Sequence, residues 1–174
     1  MDVGLESPVP LLDQHDLDNY LFPLADWISK REGRRFVSVW GSKRRVGTSR
    51  ICVDQARSVE EAVPPHRSYS VRTSASSQTT AYKQQIYEQL DHAATLPDGP
   101  VSLRLRFSVG PRRNWLNLWK PTIDALGPIL GRTAPEKPWH PRDGRIVDLS
   151  LHCRVEPSLG NEVAITIDVD HQPA

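Results

Sequence analysis

Alternation with a period of two is clearest at Val101, Leu103, Leu105, Phe107 and Val109, which are separated by Ser102, Arg104, Arg106 and Ser108. Side chains on a strand point to opposite faces in turn, so this run predicts a strand with one buried face. The same period returns at Val147, Leu149, Leu151, Cys153 and Val155, and again at Val163, Ile165, Ile167 and Val169. Pro157 and Gly160 between those two runs predict a turn that joins them as a hairpin. Helical spacing appears at Tyr82, Ile86, Leu90 and Ala93 or Ala94, with Thr79 or Thr80 able to cap the start. Pro97-Asp98-Gly99-Pro100 then makes a turn. A second apolar stripe, Leu116, Trp119, Ile123 and Leu126, predicts another helix, with Pro121 near its start and Gly127-Pro128 as its stop. Upstream, an apolar-periodic stretch precedes two strand-like runs, 36–43 and 50–56, which read as a further hairpin.

These elements divide the chain into three parts: residues 1–57, a Ser/Thr/Pro-rich tract at 58–78 that reads as a surface linker, and 79–174. In the last part the order is helix, strand, helix, strand, strand. That is an α+β unit with helices covering one face of a sheet.

Composition narrows the class. Hydrophobic residues are 38% and charged residues 25% of the 174, which suits a globular chain and excludes wholesale disorder. No apolar run reaches the ~18 residues of a membrane span, and no signal pattern opens the sequence. Cys52 and Cys153 are the only cysteines, so the expectation is a cytoplasmic protein with free thiols. The formal net charge is +1, yet Lys30, Arg31, Arg34, Arg35, Lys43, Arg44, Arg45 and Arg50 face Glu32 alone between positions 30 and 50. A field of this kind attracts polyanions, although basic residues also protect exposed strand edges. No zinc-ligand spacing, phosphate-binding Gly-rich loop or nucleophile elbow is present.

Laying Asp16-Leu17-Asp18-Asn19-Tyr20-Leu21-Phe22-Pro23-Leu24-Ala25-Asp26 over Asn114-Trp115-Leu116-Asn117-Leu118-Trp119-Lys120-Pro121-Thr122-Ile123-Asp124 brings Asn, Pro and Asp into coincidence at the fourth, eighth and eleventh places. Duplication of one supersecondary unit explains this better than two helix starts sharing caps and early prolines. The pattern, a strand followed by a basic Asp-x-Asp-Asn-Leu-x-Lys-x-x-x-Asp-x-Leu helix, an acidic turn and a hairpin, is that of the RusA-type Holliday junction resolvases, which this chain resembles. Arg112 to Leu126 is its most specific part, and His15 to Tyr20 looks like the same helix start with both acids kept.

The resemblance implies one partial and one complete RusA-like helix–hairpin unit, packed as an internal pseudo-dimer, with a homodimer if a second chain completes the first unit. It implies phosphodiester hydrolysis with Mg²⁺ on branched or duplex DNA. Neither copy holds the whole set: Phe22 stands where the first would carry lysine, and Asn114 and Leu116 stand where the second would carry acids. The complete set is Asp16, Asp18 and Asp143 as metal ligands with Lys120 beside the phosphate. Arg34, Arg35, Lys43, Arg44, Arg45, Arg112 and Arg113 are the expected nucleic-acid contacts. Acids at 16 and 18 also suit a helix N-terminus, and Asp143 suits a turn, so the residues alone leave a structural role open. Two functions follow: a structure-selective endonuclease, or a degenerate relative that binds or assembles without cutting.

Overall fold

The computed structural model describes residues 1–57 and 65–171. Its centre is the alternating run at 101–109, which forms strand β4 (Val101–Val109) with its five apolar side chains buried and its Ser/Arg set on the other face. Five more strands complete the sheet: β1 (Asp2–Gly4), β2 (Ser38–Arg44), β3 (Arg67–Thr73), β5 (Ile146–Val155) and β6 (Val163–His171). Their spatial order is β1-β2-β5-β4-β6-β3. β4 runs parallel to β5 and antiparallel to β6; the β1–β2 pair is parallel, while β2–β5 and β3–β6 are antiparallel.

Helices α1 (Leu17–Glu32), α2 (Thr80–Gln89), α3 (Trp119–Asp124) and α4 (Gly127–Leu130) contribute to the same core as the apolar sheet face. The chain is therefore mixed α+β. α2 follows its predicted stripe, with Tyr82, Ile86 and Leu90 fully buried. Thr79 does hold the cap position, but its hydroxyl donates to the Ser76 carbonyl instead of serving the helix. The second predicted helix is broken. A 3-10 turn, Trp115–Leu118, leads into α3, and Gly127-Pro128 opens α4 where a stop was expected, because proline fits the first turn of a helix.

Neither predicted hairpin forms. β2 does not pair with 50–56, where only Arg50 bridges to Asp2; it pairs with β5. That partner keeps Val39 and Gly41 on the helix-covered face, in register with Leu151 and Leu149, where Leu21 of α1 fills the space over Gly41. β5 and β6 are likewise separated by β4, whose backbone is satisfied on both sides. The 58–78 linker is a correction too. Residues 67–73 are the edge strand β3, with Tyr69, Val71 and Thr73 turned to the covered side and Ser68 to Asp168 across β6. A polar edge strand with one covered face needs few apolar residues, which is why its composition reads as a linker. Residues 58–64 of that tract lie outside the described residues.

No helix among the described residues is long and apolar enough to cross a membrane. Cys52 and Cys153 are free thiols; burial, partly opposed by Arg35, pushes the Cys153 thiol up to about 11.

Candidate metal centre

The start of α1 and the turn before β5 meet at one place. Asp16 occupies the cap position of α1, where its carbonyl accepts from Asn19 N, but its carboxylate caps no backbone N–H and accepts from Asn19 Nδ2 at 3.2 Å. Asp18 lies in the first turn and is buried. Asp143 opens the 3-10 turn Asp143–Arg145 that feeds β5. One carboxylate oxygen from each of Asp16, Asp18 and Asp143 lies within 4.8 Å of the others. Three oxygens this close could converge on one cation.

Lys120, on α3, reaches the same cluster. Its Nζ lies 3.2 Å from Asp143 Oδ2, 3.6 Å from Asp18 Oδ2 and 3.2 Å from Asp124 Oδ1. Asp124 in turn pairs with Lys83 at 3.5 Å, and the Lys83 ammonium sits over the Trp139 ring, 5.4 Å from its centre. Trp139 meets Tyr87 edge-on at 5.8 Å, so this loop aromatic is packed and not a free platform.

The electrostatics are lopsided. Burial raises the Asp18 carboxyl to about 6, with Asp143 and Asp16 adding to the rise and Lys120 opposing it. Asp16 is raised as well, by burial and then by Asp143. Burial pulls the Lys120 ammonium down, but Asp18, Asp143 and Asp124 outweigh it and hold it above its ordinary value. Burial drives the carboxyl shifts and the carboxylates drive the lysine shift, and the three acids could together hold a metal ion. The donor set is carboxylate oxygen throughout, the ligand type that hard cations favour.

The structure thus brings Asp16, Asp18, Asp143 and Lys120 together from separate parts of the chain. The expected nucleic-acid contacts do not behave as a group. Arg34 and Arg35 are exposed beyond the far end of α1, roughly 24 Å along the helix from the acids. Arg112 is exposed, but Arg113 is committed to main-chain carbonyls, donating to Ala75 at 2.7 Å and to Asn161 at 2.9 Å. Arg44 pairs with Asp148 at 3.1 Å and Arg45 donates to the Val9 carbonyl at 2.5 Å. Lys43 is a correction. It is buried, and its ammonium donates to the carbonyls of Leu11, Gln14 and Gly144, so it cannot face a phosphate.

Sequence reasoning passed over two members of this neighbourhood. Asp124, which the sequence marked only as a motif position, pairs with Lys120, as i to i+4 spacing on a helix permits. Lys43 carried a signal: it falls in the buried phase of the Val39-Gly41-Lys43 alternation, where a lysine requires partners. No protein-family model matches the chain, and a search of curated proteins finds no significant match.

Proposed function

We propose that this protein is a Mg²⁺- or Mn²⁺-dependent endonuclease acting on DNA, with branched DNA as its preferred substrate. The observation that carries the reading is the convergence of Asp16, Asp18 and Asp143 with Lys120, residues no single segment could supply. Asp16, Asp18 and Asp143 would hold the cation, which when bound polarises a phosphate and acidifies a water molecule. Lys120, kept protonated by its carboxylate neighbours, supplies positive charge for the phosphate oxygens as charge builds on them. Asp124 also pairs with that ammonium, at 3.2 Å, and its other oxygen is held by Lys83.

The same reading accounts for the unequal helix starts. In the RusA-like view, the helix starts at α1 and before α3 have divided a site between them, one keeping the acids and the other the lysine; only the helix starts carry this view, because neither hairpin of the expected units forms. The two segments touch where Phe22 packs edge-on against Trp119 at 6.3 Å.

The test is cleavage of a four-way junction and of the matching duplex with Mg²⁺, Mn²⁺ or EDTA. Metal-dependent cutting that Asp18→Asn and Asp143→Asn abolish is expected. Junction binding without cutting would replace the enzyme with a binding or assembly module. No binding to either DNA rejects the nucleic-acid role.

A further inference from the structure

We infer that Lys43 is a positioning residue whose ammonium clasps the 11–14 segment to the turn at Gly144 and so sets the spacing of Asp16 and Asp143. This rests on the metal reading above. An ammonium has three donors and accepts nothing. Here all three are used, at 3.1 Å to the Leu11 carbonyl, 2.9 Å to Gln14 and 2.5 Å to Gly144. Gln14 lies two residues before Asp16, and Gly144 directly follows Asp143. One side chain therefore spans the seam between the two backbones that carry the carboxylates.

A second feature marks the same seam. A Cβ at Gly144 would lie 2.9 Å from the Asp13 carbonyl carbon and 3.1 Å from Gln14 N. Backbone meets backbone there with no room for a side chain, and the lysine is the pin that closes it. An apolar residue would fill this core-facing position of β2 without the desolvation cost of a charge. What lysine adds is a fixed distance between the 11–14 segment and the turn at Gly144, which its ammonium bonds together. Outer partners that orient ligands typically change metal affinity 10–100-fold when lost.

The experiment is Mn²⁺ titration of the full chain, with free Mn²⁺ read by electron paramagnetic resonance, on wild type, Lys43→Met and Gly144→Ala, alongside thermal unfolding of each without metal. Both variants are expected to bind Mn²⁺ at least tenfold more weakly at temperatures where they are folded. A merely structural lysine would lower the unfolding temperature and leave that affinity within twofold, which overturns the inference alone. Should Lys43→Met fail to fold, Gly144→Ala decides, because it opens the seam without removing a charge. No Mn²⁺ binding by the wild-type chain overturns the metal reading and this inference with it.

Discussion

Lys120 Nζ lies 3.6 Å from Asp18 Oδ2, although one residue is on the short helix after β4 and the other is at the start of the first helix. The pair is one edge of a cluster in which Asp18, Asp143 and Asp124 all pair with Lys120, with Asp16 beside them and Lys83 on the far oxygen of Asp124. The sheet makes this possible. Pairing β2 with β5 brings α1 over the strand that Asp143 precedes, so the acids of the first segment arrive beside the lysine of the last.

Asp18→Asn is expected to stabilise the metal-free protein at pH 7. The folded carboxyl is raised from 3.8 to about 6, so its contribution to stability is full below 3.8 and is lost as pH rises through 6. At neutral pH the buried charge costs roughly 1–3 kcal/mol, which the amide avoids. Urea unfolding at pH 7 should favour the variant, and the difference should vanish near pH 4. With saturating Mg²⁺ the order should reverse, because only the wild type gains from the ion. A variant less stable than wild type at pH 7 without metal would contradict this account of the pocket.

Lys120→Ala separates binding from chemistry. Removing the ammonium takes away a competitor for the carboxylates, so Mn²⁺ should bind at least as tightly as to wild type. Cutting should nonetheless fall by about 100-fold or more, the usual loss when a charge aimed at the reacting phosphate is removed. Single-turnover cleavage beside a Mn²⁺ titration reads both. Weaker metal binding with unchanged cutting would assign Lys120 to holding the site together.

Local features were legible and pairings were not. β4 and β6 could be read because each buries one face only, which leaves a clean alternation; α2 could be read from Tyr82, Ile86 and Leu90. The partner of β2 could not, since its register with β5 depends on contacts far apart in sequence. β3 was hidden by Ser68, Ser70 and Thr73, polar residues that an edge strand tolerates. The four site residues were nameable only through a family resemblance, and their convergence is a property of the sheet order. Lys43 was hidden by its neighbours: inside Lys43-Arg44-Arg45 it reads as surface charge, while its phase on β2 turns it inward.

Tyr82→Phe tests the helix layer apart from the site. The Tyr82 hydroxyl and Thr122 Oγ1 are 2.9 Å apart and both residues are fully buried. Losing the phenol oxygen leaves the threonine hydroxyl without that partner in an apolar core, at a cost of about 1–2 kcal/mol. Urea unfolding should show that loss, with Mn²⁺ affinity unchanged. A shift in metal affinity would mean that the α2–α3 contact tunes Lys120 and Asp124 as well as supporting them.

Metal affinity should itself report the Asp18 proton. A ligand must be deprotonated to bind, so an ion competes with hydrogen ions for a carboxyl raised to about 6. The Mn²⁺ Kd should be nearly flat above pH 7 and should weaken by about tenfold per unit once pH falls below 6. Asp16, raised in the same direction, can only steepen that fall. Ordinary exposed carboxylates would delay the loss to about pH 4, near their unperturbed values. A Kd that holds constant from pH 7 down to 4.5 would therefore show that the ion does not use Asp18, and would move the candidate centre away from the first turn of α1.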